Sequence, residues 1–146
     1  MLSALSAEQT EFLVVGAYAM AAHGLPRATG DIDIWVRPTE ENAKRVWAAL
    51  KRFRCPMFDL TVEDLHAPDI VFQIGIAPNR IDILTSITGV DFDTAWSERR
   101  EVDLGGQVAS VLSRSHLTQN KIATGRPKDL ADVAWLEQTA SDAAEP

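Results

Sequence analysis

Cysteine is nearly absent: Cys55 is the only one in 146 residues. That excludes an internal disulfide and any zinc site built from several thiolates. Cys55 itself precedes Pro56 with no activating base nearby in sequence, and it reads as an inert residue before a turn. Long apolar runs are also missing. The longest, Phe12 to Ala22 with Gly16 inside it, falls well short of the ~20 residues that span a bilayer, so no transmembrane helix and no membrane partner are expected. Met1 to Thr10 contains no Lys or Arg, which removes the basic start of a secretory signal and makes the cytoplasm the expected location. Positive charge is scarce overall: 14 Lys and Arg face 21 Asp and Glu, for a formal net charge of -7. Binding nucleic acid by bulk electrostatics is therefore disfavoured, because phosphate neutralisation needs clustered cations, although a local basic patch stays open.

What is present is the composition of an ordinary folded chain, 46% apolar and 24% charged, of a length that suits one core. Neither repeats nor low-complexity linkers interrupt it, so residues 1–138 read as a single domain, with 139–146 as a flexible polar tail. A short helix is expected over Ala4–Thr10, a buried strand over Phe12–Val15, and a small-residue helix over Ala17–Ala22 closed by His23-Gly24. Strict alternation marks Asp31–Val36 as a strand with Ile32, Ile34 and Val36 on one face and Asp31, Asp33 and Trp35 on the other. Thr39 opens a helix running to Phe53, and Thr61–His66 has a capping signature with Asp64 in third position. Strands at Ile70–Ile76 and Arg80–Thr85 flank the turn Ala77-Pro78-Asn79. After a short helix over Asp91–Glu98, the strands Glu101–Leu104 and Gln107–Leu112 flank Gly105-Gly106, and Ser113–Ala123 and Pro127–Gln138 close the chain as helices. This interleaving predicts an α/β (α+β) fold, a small mixed β-sheet flanked by helices.

The chemistry-bearing residues are carboxylates. Asp31 and Asp33 emerge on one face of their strand, roughly 7 Å apart at ~3.3 Å rise per residue. Asp82, between Ile81 and Ile83, repeats the pattern on a later strand. Clustered anions are costly unless something positive compensates, and hard divalent cations take such oxygen ligands. The bland alternative is that Asp31 and Asp33 face solvent and Asp82 pairs with Arg80 or another base. The strand Phe12–Val15 running into Gly16-Ala17 adds a turn whose free backbone N–H groups can hold a phosphate, though alone it is also an ordinary tight turn.

Together, Val14-Val15-Gly16-Ala17, Asp31-Ile32-Asp33-Ile34 and Ile81-Asp82-Ile83 resemble the nucleotidyltransferase superfamily with the DNA polymerase beta-like palm. The stretch from Gly16 through His23-Gly24, Arg27, Thr29 and Asp31, with the closing run Leu117, Asn120-Lys121 and Gly125-Arg126-Pro127-Lys128-Asp129-Leu130-Ala131-Asp132-Val133, is similar to the small bacterial AbiEii-like branch. The resemblance implies a nucleotidyltransferase fold and two Mg²⁺ or Mn²⁺ ions held by Asp31, Asp33 and Asp82, the catalytic acids. It implies an NTP substrate contacted by Gly16, Ala17, Arg27, Lys121, Arg126 and Lys128, and transfer of a nucleoside monophosphate to a hydroxyl with release of pyrophosphate. The acceptor, whether RNA, protein or a small molecule, stays open, as do the preferred base and the oligomeric state. Position 17 is Ala where the family usually has Ser, so a hydroxyl contact to the triphosphate is missing.

Two other functions remain beside this one. The first is a weakly active or inactive partner of a toxin or antitoxin in a two-gene defence pair, and the second a metal-dependent phosphohydrolase. For single residues, Lys121 could equally sit on a solvated helix face, and Arg126 and Lys128 could pair with Asp129 or Asp132, which would orient a base or cap a helix. His23 is expected to cap a helix end through the dipole, with an approach to phosphate as the alternative. Trp47, Trp96 and Trp135 are expected in the core; Trp35, on the acid face, belongs there too or stacks on a base.

Overall fold

The structure, a computed structural model, describes residues 1–25 and 29–144. Strand β1 (Phe12–Val15) is buried at all four positions. A run that is apolar at every position must be covered on both faces, and β1 accordingly lies inside the sheet rather than at its edge. Six strands line up in the order β3-β4-β2-β1-β6-β5. Here β2 is Asp31–Val36, β3 Val71–Ile74, β4 Arg80–Leu84, β5 Arg100–Leu104 and β6 Gln107–Val111. The two late hairpins, β3-β4 and β5-β6, are antiparallel, as is β1-β2, whereas β2-β4 and β1-β6 run parallel. The sheet is thus mixed and flanked by helices, as the interleaved pattern predicts.

Helix α1 (Leu2–Ala7) packs on α3 (Glu40–Phe53), α2 (Gly16–Ala22) lies against β2 and α5 (Arg114–Thr124), and α5 packs on α6 (Pro127–Ala144). Leu5, Leu13, Ile34, Leu50, Ile83, Leu112, Leu117 and Leu136 have no exposed surface and form the centre of the core. Local signals explain most boundaries. Thr39 caps α3 by accepting from Asn42 N, and Ser113 caps α5 by accepting from His116 N. Helix α1 stops at Ala7, earlier than expected, because Gln9 adopts a left-handed φ of 56° and Thr10 N and Oγ1 both return to the carbonyl of Leu5. The Thr61–Asp64 pair forms the expected reciprocal cap, but it opens only a single 3-10 turn, Asp64–His66. At the other end, α6 runs on through Ala144, where a polar tail from Thr139 is expected. Thr139 Oγ1 accepts from Arg114 Nη1 at 2.6 Å and donates to Trp135 O at 2.9 Å, which ties the start of that segment to α5. No helix among the described residues is long and apolar enough to cross a membrane.

Candidate active site

Register builds the site. Because β4 lies parallel beside β2, Asp33 faces Asp82 across the ladder and Asp31 faces Arg80. Residues two apart on a strand share a face, so Arg80 and Asp82 emerge together toward Asp31 and Asp33. Each of the three acids offers an oxygen within 4.8 Å of the others. On the other side of β2, the antiparallel partner of Asp33 is Val15, the last residue of β1, so the turn after it places Gly16 against the Asp33 carboxyl. Gly16 has φ +68°, and a Cβ there would lie 2.3 Å from Asp33 Oδ2. Only glycine satisfies both constraints.

The acids form one wall of a cavity of about 560 Å³, with Gly16, Ala17 and Thr29 beside them and Arg80, Lys121, Arg126 and Lys128 as cationic lining. Thr29 Oγ1 donates to Asp31 Oδ1 at 3.1 Å. Arg80 Nη2 donates to Asp31 Oδ2 at 3.0 Å and to Asp82 Oδ2 at 3.3 Å. Burial pushes the Asp33 carboxyl up to about 7, and the charges of Asp31 and then Asp82 push the same way, with Arg80 opposing. Asp82 is buried, and its Oδ1 receives no hydrogen bond. Three converging carboxylates, one with an oxygen that is ion-paired to Arg80 but receives no hydrogen bond and one resisting ionisation through burial and repulsion, form a donor set that fits a hard divalent cation. Asp31, Asp33 and Asp82 could hold it.

Of the alternatives for Lys121, the solvated helix face does not occur. Lys121 on α5 is largely buried and reaches Asp132 at 2.9 Å and Asp129 at 3.6 Å, both on α6. Asp129, with no exposed surface, also accepts from Thr124 Oγ1 at 2.8 Å and from Arg126 Nε at 2.6 Å. These partners, Arg126 first, hold its carboxyl down to about 2 against the opposing effect of burial. Asp129 and Asp132 thus anchor cavity cations from below. Asp129→Ala should cost about 3 kcal/mol at pH 7 by leaving Lys121 short of a buried counter-charge. A carboxyl with a lowered pKa stabilises the fold above its ordinary value near 4 and loses that contribution as pH falls toward 2. Urea denaturation should therefore show the gap between variant and wild type closing over that range, and an equal gap at pH 2 and pH 7 would contradict the assignment.

The structure decides between the alternatives for Trp35 and changes the expectation for His23. Trp35 is buried and packs edge-on to Phe92 of α4 (Phe92–Ser97), with ring centroids 4.9 Å apart, so it belongs to the core and stacks on no base. His23 does end α2, but not as a cation on the dipole. Burial lowers its pKa, and Nε2 lies 2.8 Å from the carbonyl of Leu112, to which it donates. It is also no part of the cavity wall. Arg27 lies outside the described residues. Arg80 is the cavity residue that sequence reasoning treated only as a bland partner; its position two residues before Asp82 was the available signal.

No protein-family model and no curated relative matches the chain. Among solved structures, one described as a "putative nucleotidyltransferase" from Thermotoga maritima superposes with a TM-score of 0.60 at 22% sequence identity, covering 94% of this chain and 88% of that one. The chain therefore has a nucleotidyltransferase-like fold, a six-stranded mixed sheet flanked by helices over nearly its whole length.

Proposed function

We propose that this protein is a metal-dependent nucleotidyltransferase that moves a nucleoside monophosphate from an NTP to a hydroxyl acceptor. The observation that carries the reading is the convergence of Asp31, Asp33 and Asp82 within 4.8 Å, on one wall of a cavity whose other walls carry Lys121, Arg126 and Lys128. Acids and cations facing each other across one cavity suit a ligand that is both polyanionic and cation-bound, which describes a nucleoside triphosphate. Bound Mg²⁺ or Mn²⁺, two ions in the reading taken from the family resemblance, would neutralise phosphate charge and lower the pKa of the attacking hydroxyl.

The chain's own residues do the positioning. Asp31 and Asp33 orient the cation side of the triphosphate, and Gly16 lets the chain pass close to Asp33. Arg126, Lys128 and the anchored Lys121 take the anionic side. Asp82, whose Oδ1 receives no hydrogen bond, is placed to accept the proton of the acceptor hydroxyl. The new bond joins the acceptor oxygen to the α-phosphorus while the bond from that phosphorus to the bridging oxygen breaks, and pyrophosphate leaves with the electron pair. Ala17 offers only its backbone N–H to the phosphates. The AbiEii-like branch and a toxin–antitoxin partnership rest on the sequence motifs alone, and the shared fold adds nothing to them.

The test is incubation with each α-labelled NTP, Mg²⁺ or Mn²⁺, and transfer RNA, proteins, small alcohols or aminoglycosides as acceptors. Label should pass to one acceptor class with release of pyrophosphate, and Asp31→Ala and Asp82→Ala should each reduce the rate at least about 100-fold. Orthophosphate without a labelled acceptor would instead mark a phosphohydrolase. Absence of both nucleotide binding and turnover, with every acceptor tried, would refute the transferase.

A further inference from the structure

The guanidinium of Arg80 already sits where positive charge is needed. It bonds Asp31 and Asp82 through Nη2, at 3.0 and 3.3 Å, and its Nε lies 3.1 Å from Asp82 Oδ1. That last contact is poorly made: the Nε–H and Oδ1 are both buried and neither has a hydrogen-bond partner, although they lie within ion-pair distance. A well-seated arginine–carboxylate pair satisfies both atoms with parallel bonds. Asp82 is thus held by one hydrogen bond from Nη2, at 3.3 Å, and by charge alone at Nε, a contact that a better-fitting cation can replace. The same carboxylates belong to the acid set suited to divalent ions, and a guanidinium seated on Asp31 and Asp82 occupies lone pairs that such ions would take. Arg80 also has an exit, since its side chain keeps 35% exposure and borders the cavity.

We propose that Arg80 is a built-in counter-cation that a divalent metal must displace from Asp31 and Asp82 in order to bind the three acids. The inference rests on the metal dependence proposed above. It explains how three acids coexist in the fold before substrate arrives: the guanidinium offsets two of them and leaves when a stronger ligand for the set comes in. Arg80 is then a positioning residue that sets the apparent metal affinity.

Calorimetric titration with Mn²⁺ alone, without nucleotide, separates the possibilities in the wild type, Arg80→Met, Arg80→Lys and Lys128→Met. Removing the competitor in Arg80→Met should tighten Mn²⁺ binding at least about tenfold, which corresponds to about 1.4 kcal/mol. Arg80→Lys, which keeps charge but cannot bridge both acids with a planar fork, should fall between and serves if Arg80→Met does not fold. Lys128→Met removes the same charge from the same cavity without removing a partner of the acids, and should shift affinity less than about threefold, as screening of an exposed charge predicts. Unchanged or weaker binding in both Arg80 variants would overturn the inference while leaving the metal reading intact, provided the wild type binds. Equal tightening in Lys128→Met would overturn it by reducing the effect to net charge. Failure of every protein to bind Mn²⁺ would remove the inference and the metal dependence together.

Discussion

Asp33→Asn should melt at a higher temperature than the wild type at pH 8 in EDTA while losing its response to Mn²⁺. In the folded protein the Asp33 carboxyl titrates near 7, against an ordinary value of 3.8, because burial and the neighbouring acids oppose its charge. Below about pH 4 the carboxyl is protonated whether the chain is folded or not, and no penalty exists. As pH rises from there to 7, the unfolded chain releases the proton freely and the folded chain holds it, so stability falls, and above 7 the full penalty persists. Asparagine carries no charge at any pH and escapes this cost. Because Asp33 keeps some solvent contact, the full shift overstates the effect, and a gain of about 1–2 kcal/mol is expected after discounting for screening. For a domain of this size that is roughly 3–6 °C in Tm. The gain should vanish near pH 4. Saturating Mn²⁺ should raise the wild-type Tm by binding the folded state and leave the variant where it was. Calorimetry at the two pH values, with and without metal, reads all four quantities. A variant less stable than wild type at pH 8 would mean that Asp33 is a stabilising charge rather than a strained one.

Gly16→Ala should do the reverse and lose both stability and site. The added methyl would stand 2.3 Å from Asp33 Oδ2, and φ +68° is a conformation that alanine adopts only with strain. Either the turn or the Asp33 carboxyl must shift. A loss of about 1–3 kcal/mol in unfolding free energy is expected from the backbone term alone. Because Asp33 is displaced as well, Mn²⁺ affinity should fall at least about 100-fold, a loss of about 3 kcal/mol of binding. Comparison with Asp33→Asn separates the two effects, since that substitution removes the ligand without straining the turn. If Gly16→Ala retained Mn²⁺ affinity within about threefold of wild type, the close approach of Gly16 to Asp33 would not matter to the site.

Much of this was legible in residue order. Alternation on Asp31–Val36 put both acids and Trp35 on one face, and the Ile81-Asp82-Ile83 repeat identified the third acid. Alternation cannot say where a cavity ends and the core begins, however. Phe92, arriving from a separate helix, covers Trp35 and leaves the two acids open. The parallel pairing of β2 with β4, which turns three separate carboxylates into a cluster, depends on where the intervening helix and turns return the chain. No local pattern encodes that. The same holds for His23, whose bond to Leu112 spans most of the sequence. Lys121 is kept off the solvated helix face by α6, which docks two buried acids beneath it, and no local pattern encodes that docking. The AbiEii-like resemblance lies in short motifs that the shared architecture does not reach.

The pairing of β1 with β6 joins Val14 to Val111, and β6 leads through Leu112 directly into the cap of α5. The acids arrive early in the chain, on β2 and β4, whereas Lys121, Arg126 and Lys128 all come after β6. The register of β6 on β1 therefore sets where these cations enter the cavity. The acids and the cavity cations are thus coupled mechanically through the sheet: Arg80 shares a strand with Asp82, whereas Lys121, Arg126 and Lys128 follow in the chain after β6, which is seated on β1.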